Sequence, residues 1–272
     1  MFELGARTLV MGIVNVTPDS FSDGGLFADA NDAVVHAARL VDEGAALVDI
    51  GGESTRPGAD PVPVEEELAR ILPVIAGLRA ARPGSAISVD TRRADVARQA
   101  IAVGADVVND VGAGRDPAMF EVVAGTGAGM VLMHMLGEPA TMQDDPRYDD
   151  VVAEVHEYLR ERVEAAVFAG IDVERLAVDP GMGFGKTLDH NLALLRALER
   201  FTDLDAALLI GVSRKRFIGE LTGSTDATDR LEGSLASAVL AAAHGADIVR
   251  VHDVLATVRA LGVADAIARG GG

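Results

Sequence analysis

Eight short apolar runs that each end on a polar residue, each followed by a stretch of helical spacing, predict an α/β protein, a single-domain TIM (β/α)8 barrel with its working face at the C-terminal ends of the strands. Two further observations carry the same prediction. The pattern of helix end, Gly, Ala, strand and polar terminus recurs at 43–49 (EGAALVD), 103–109 (VGADVVN) and 244–250 (HGADIVR). A chain of 272 residues suits one undivided barrel, expected to span 1–272. Eight parallel units close a barrel. A doubly wound open sheet is the alternative, but it has no use for eight equivalent polar strand ends.

The elements follow in order. Thr8 to Val16 is apolar apart from Asn15, as a strand covered on both faces should be, and a long loop with Pro18, Gly24 and Gly25 follows it. Ala30 to Glu43 has helical spacing and stops at Gly44. Ala46 to Ile50 is the second strand. The GGESTRPGADP after it is too rich in glycine and proline for regular structure. From Val64 a helix carries Leu68, Ile71, Leu72, Ile75 and Leu78 as its core stripe, with Glu65, Glu66 and Glu67 in a solvated first turn and Pro73 as an expected kink.

Ala86 to Asp90 is the third strand and Ala94 to Val103 its helix; Asp106 to Asn109 is the fourth, leading through GAG to a helix at Pro117 to Thr126. Met130 to His134 is the fifth, with a loop to Asp149 and a long helix showing Val152, Val155, Leu159 and Val163 on one face. The sixth, from Leu176, ends on Asp179; Pro180, Gly181, Gly183 and Gly185 then turn the backbone before Leu188, Leu192 and Leu195 resume helical spacing. Ala207 to Val212, a Gly/Ser/Thr/Asp loop and a helix from Arg230 to His244 form the seventh unit. Asp247 to Val251 and a helix ending near Arg269 form the eighth.

Composition narrows the function. No apolar run approaches the about 20 residues of a membrane span, and no cleavable leader is visible, so a soluble cytoplasmic protein is the expectation. The absence of cysteine excludes disulfides and thiolate metal sites. A net charge of −18 argues against nucleic acid and anionic membrane as partners, so any anionic ligand needs a local positive patch.

The strand ends supply Asn15, Asp49, Asp90, Asn109, His134, Asp179, Ser213 with Lys215, and Arg250 with His252. Asp90, Asn109 and Asp179 suit a flat heterocycle with several N–H groups, since carboxylates accept from an amino-pyrimidine edge. Asn15, Arg250 and His252, with Arg56 and Lys215 nearby, suit an anion. Asp49 and Asp110 read equally well as helix caps. His134 reads as a satisfied structural histidine, and His36, His156 and His190 as surface residues on or beside helices. PGMGFGKT is not a P-loop, because Pro180 stands where that pattern needs glycine, and GMGFG lacks dinucleotide-fingerprint spacing.

The segments MGIVNVTPDSFSDGG from Met11, DIGGESTRPGA from Asp49, SVDTRR from Ser88, DVVNDV from Asp106, DPGMGFGKT, GVSRKRFIG from Gly211 and RVHDV from Arg250 together resemble dihydropteroate synthase, nearly end to end. The resemblance implies a pterin-binding transferase that joins 6-hydroxymethyl-7,8-dihydropterin diphosphate to 4-aminobenzoate, releases diphosphate and requires Mg2+. It implies pterin contacts at Asp90, Asn109, Asp179 and Lys215, and a diphosphate pocket at Asn15, Arg250 and His252, with Asn15 also the metal ligand. Phe21, Thr55, Arg56, Pro57, Phe184 and Ser213 fall on the 4-aminobenzoate side. Asp90, Lys215 and Arg250 are the implied catalytic residues. Loops 17–29 and 51–63 are expected to close over the site, and a homodimer is expected through the late helices, including Leu231 to Leu240. One departure from the family pattern is Glu138 in MLGEPATMQ.

A pterin-binding methyltransferase using methyltetrahydrofolate and a corrinoid would share the barrel and the carboxylates, but has no need of a diphosphate pocket. Against a catalytically silent paralogue stand the intact Asn15, Arg56 and Lys215. A generic sugar-phosphate barrel leaves Asp90 and Asn109 without a role.

Overall fold

Eight parallel strands close in sequence order into a barrel, β1 Leu9–Asn15, β2 Leu47–Gly51, β3 Ala86–Asp90, β4 Val107–Asp110, β5 Gly129–Met133, β6 Leu176–Asp179, β7 Ala207–Ile210 and β8 Ile248–Val251. Closure is made by β8 on β1 in the register Leu9↔Ile248 to Gly12↔Val251. The structure is a computed structural model, which describes residues 4–17, 26–54 and 61–268. Around the barrel run α1 Leu26–Asp42, α2 Val64–Ala81, α3 Ala94–Ala102, α4 Met119–Thr126, α5 Val151–Phe168, α6 Leu188–Arg196, α7 Arg216–Thr222, α8 Leu231–Ala243 and α9 Val254–Ala268. None of the described helices is long and apolar enough to cross a membrane.

The period of two along a strand divides its side chains between two cores. Val48, Ile50, Val89, Val108, Val178 and Val249 face outward into the layer between strands and helices. Leu9, Met11, Leu47, Val131, Ala177, Leu209 and Ile248 face inward and plug the barrel. The same parity then fixes the next layer up. Asp49 lies two residues beyond Leu47, Asp179 beyond Ala177, Arg250 beyond Ile248 and Asn109 beyond Val107, so a polar layer stands on an apolar floor.

Several helix ends are built as their sequence allows. Asp150 caps α5 by accepting from the backbone N–H groups of Val152 and Ala153. Thr187 and His190 form a reciprocal capping box at the start of α6, so His190 has a structural task there. His156 is also tied down, its Nε2 lying 2.7 Å from Asp203.

The structure differs from the sequence-based expectation at two places. Glu67 is not part of a solvated turn: it is buried and ion-paired to Arg93, because α2 turns that position toward the β3 loop. The segment after β7 read as loop contains α7, whose seven residues are too few for a 3.6-residue period to register.

Candidate active site

At the C-terminal mouth of the barrel one guanidinium joins two strands' carboxylates. Arg250 donates from Nε to Asp49 Oδ2 at 2.6 Å and from Nη2 to Asp90 Oδ2 at 2.7 Å. Asp49 is 0% exposed and receives a further hydrogen bond from Asn109 Nδ2 at 2.9 Å. The Asn109 group facing Asp49 is thus the amide NH2, the donor of this bond. That leaves Asn109 Oδ1 as an acceptor for a ligand N–H. Asp49 is therefore no helix cap. It is the hub that orients Asn109 and Arg250, and Asp90 stands beside Asn109 in the β3–β4 register.

Burial pushes the Asp90 carboxyl above the ordinary aspartate range; the Arg250 guanidinium pulls it back and the Asp49 carboxylate adds to the rise. Burial also raises Asp179, against the opposing pull of the Gly181 N–H, Lys215 and Arg250. Asp179 Oδ1 accepts from Gly181 N at 2.7 Å, which aims the carboxylate into the site. Gly181 is obligatory there: φ is +70° and a Cβ would lie 1.9 Å from the His134 carbonyl oxygen. Asp110 accepts from the N–H groups of Gly112 and Gly114 and so holds the turn after β4, which makes it a loop anchor.

The β6 and β7 loops bring a cation and an aromatic ring together. Lys215 Nζ lies 4.2 Å from the centroid of the Phe184 ring. Phe184 in turn packs on Val111, Met133, Met135 and Met142, an apolar wall beside the polar layer. Lys215 follows Arg214, a non-glycine residue at φ +58°. Its strained backbone is held by a two-point ion pair to Asp253, at 2.7 and 3.1 Å.

Ser213 and His252 link the ends of β7 and β8. The Ser213 hydroxyl accepts from the His252 backbone N–H at 3.1 Å and lies 3.0 Å from Nδ1 of the same ring. With the hydroxyl hydrogen directed to Nδ1, Nε2 carries the ring hydrogen and is a donor suited to an anion. Asn15 ends β1 half-buried, its side chain making no hydrogen bond among the described residues.

Phe21, Thr55, Arg56 and Pro57, with the conformations of both long loops, lie outside the described residues. What is described of the second loop has an anchor that the sequence did not single out. Glu53 accepts from Val62 N and Arg93 Nη2, both at 3.1 Å, and so ties the two ends of that loop to the β3 rim. Glu138, the departure noted above, pairs with Arg92 at 2.9 Å on the same rim and is accommodated away from the carboxylate cluster.

A family model described as "Pterin binding enzyme" matches residues 11–252. A dihydropteroate synthase of Escherichia coli (strain K12) is 51% identical over 94% of this chain and 90% of its own. A dihydropteroate synthase of Xanthomonas albilineans solved with 4-aminobenzoic acid superposes with a TM-score of 0.91 at 54% identity, covering 96% of this chain and 93% of that one. The same organism's enzyme in complex with 7,8-dihydropteroate gives a TM-score of 0.88 at 51% identity, covering 96% and 94%. The chain belongs to the dihydropteroate synthases of the pterin-binding enzyme family.

Proposed function

We propose that the polar layer at the barrel mouth performs the condensation of 6-hydroxymethyl-7,8-dihydropterin diphosphate with 4-aminobenzoate. The observation that carries this reading is the Asp49 hub, which turns Asn109 Oδ1 toward the mouth beside the Asp90 and Asp179 carboxylates. Three acceptors on one rim match the N–H groups of an amino-pyrimidine edge. The Met and Phe184 wall suits the faces of flat rings.

The reaction breaks the C–O bond between the pterin methylene and the diphosphate, both electrons leaving with oxygen. The amine lone pair then forms the C–N bond, and the amine loses one proton to diphosphate or solvent. His252 and Arg250 stand at the end of β8 as donors to the leaving group; Arg250 Nη1 makes no hydrogen bond among the described residues. Asp90 opposes the positive charge that develops on the pterin. Phe184 and Ser213, with Phe21, Thr55, Arg56 and Pro57 from the loops, form the aminobenzoate side. Lys215 lies between the two halves, against the Phe184 ring.

Mg2+ belongs to this reading. The described residues contain no group of three or more His, Cys, Asp or Glu able to hold a metal. That suits an ion which keeps several waters and takes most of its oxygens from substrate phosphates. Asn15, a neutral oxygen donor on the rim whose carboxamide makes no hydrogen bond among the described residues, fits as its protein ligand. When bound, the ion supplies neutralisation of the diphosphate charge.

The cytoplasm is the proposed compartment. Two copies are proposed to pair through α8 and α9, where Leu240, Val263 and Ile267 are 59%, 62% and 80% exposed. Sedimentation at the mass of two chains is the expected outcome, and a monomer at micromolar concentration would remove that part of the reading.

The experiment is direct. Purified protein with pterin diphosphate, 4-aminobenzoate and Mg2+ should form dihydropteroate and diphosphate in equal amounts. Product absent under all three additions would overturn the assignment.

A further inference from the structure

Beneath the Phe184 loop lies a buried lysine that the reaction scheme does not use. Lys186 is 3% exposed, and its Nζ stands 2.9 Å from His134 Nδ1 and 3.0 Å from the Phe184 carbonyl oxygen, to which it donates. An ammonium in this position is costly. Burial pulls its pKa down to about 7, the Asp179 carboxylate pulling the other way and the Lys215 ammonium adding to the fall. His134 is held neutral, pushed down to about 2 by burial first and then by Lys186 and Arg115. Its other neighbours are the Tyr158 ring, edge-on with centroids 5.0 Å apart, and the Tyr148 ring at 6.1 Å.

A methionine or leucine would fill the same volume without that cost, so the lysine's hydrogen bonds need a reason. They belong to a set. Three consecutive carbonyls of this loop are each held by a side chain: Gly183 by Gln143 Nε2, Phe184 by Lys186 Nζ, and Gly185 by Tyr148 Oη at 2.9 Å. The N–H of Gly183 is fixed as well, to Asn191 Oδ1 at 2.7 Å. Glycine permits the close fit, since a Cβ on Gly185 would lie 2.6 Å from Leu136 Cβ. The loop after β6 is thereby moulded onto the segment after β5, and its Phe184 ring lies under Lys215.

We propose that Lys186 is a positioning residue for the 4-aminobenzoate subsite: by tying the Phe184 carbonyl to His134 it sets the Phe184 ring. The proposal rests on the functional reading above, which places Phe184 on the aminobenzoate side. Asp179 and the pterin edge keep their own hydrogen bonds, to Gly181 and through Asp49, so the loss of Lys186 reaches them only through its charge on Asp179.

The test is steady-state kinetics with each substrate varied in turn. Lys186→Met keeps length and apolar packing but removes the donor. It should raise KM for 4-aminobenzoate about tenfold while KM for the pterin diphosphate moves less than about twofold, the scale of one lost hydrogen bond. His134→Leu should imitate it. His134→Asn, whose carboxamide oxygen can take the place of Nδ1, should restore the aminobenzoate KM to within about threefold of the parent. Tyr148→Phe removes a neighbouring clamp without touching the buried lysine. It should give the same selective rise, about threefold, which keeps the idea testable if Lys186→Met does not fold.

Equal rises in both KM values, no rescue by His134→Asn, or an unmoved aminobenzoate KM in folded Lys186→Met or Tyr148→Phe would each overturn the positioning role. Parent protein without turnover would overturn the functional reading, and the positioning role with it. Turnover with an unmoved aminobenzoate KM overturns the positioning role alone.

Discussion

Replacing Arg250 by methionine should destabilise the fold by about 3 to 5 kcal/mol and abolish turnover, because it leaves two carboxylates in the barrel without their shared counter-ion. Arg250 contacts Asp49 Oδ2 at 2.6 Å and Asp90 Oδ2 at 2.7 Å, and Asp49 has no exposure to water that could take over the charge. The pH dependence has a defined sign. Asp90 already sits above the ordinary aspartate range through burial, and without Arg250 it rises further. Between the unfolded and folded pKa values the native state then binds more protons than the unfolded state, so stability falls as pH rises through that window. The deficit of Arg250→Met relative to the parent should be largest at neutral pH and shrink toward pH 4. Urea unfolding across that range measures it. A deficit under about 1 kcal/mol at pH 7 would mean that the pair contributes no more than an exposed one.

The second large effect concerns Asp90→Asn. Arg250 can only donate, so the new carboxamide must turn its oxygen toward Arg250 and its NH2 toward the pterin. The side chain then presents a positive dipole where a cation develops. Bond cleavage should slow by about 2 to 4 kcal/mol, roughly thirtyfold to a thousandfold. Binding of 6-hydroxymethylpterin, which carries no leaving group and develops no charge, should weaken by less than about tenfold. Single-turnover rates set against calorimetric affinity separate the two. Equal losses in both would make Asp90 a binding residue only.

The barrel and the identity of its polar strand ends were readable from the chain, because apolar runs closing on Asp90, Asn109 and Asp179 carry their own register. The role of Asp49 was not. A carboxylate near a strand end reads as cap or as interior group depending on parity against Leu47, and that parity is set by the barrel's closure through the β1–β8 ladder. Lys186 lay inside the most distinctive segment of the sequence, yet its burial depends on His134, which is 52 residues away. Glu67 hid in a run of three glutamates whose first two members are exposed and whose third faces Arg93. In each case the missing information was a long-range contact. Residue type and local spacing were correct but could not say which side of the wall the group stood on.

In the proposed reaction diphosphate leaves before the amine attacks, the carboxylate layer around Asp90 stabilising the cation left behind. Positional isotope exchange tests it most directly. Pterin diphosphate labelled with 18O in the bridge between the methylene carbon and phosphorus is incubated with the protein and Mg2+, with benzoate in place of 4-aminobenzoate. If the C–O bond breaks reversibly without a nucleophile, the freed phosphate end rotates and the label in recovered substrate moves from the bridge to non-bridging positions. We expect that scrambling, at a rate comparable with turnover. Label retained wholly in the bridge, while the same protein makes dihydropteroate once 4-aminobenzoate is supplied, would contradict the account and require the amine to take part in breaking the bond.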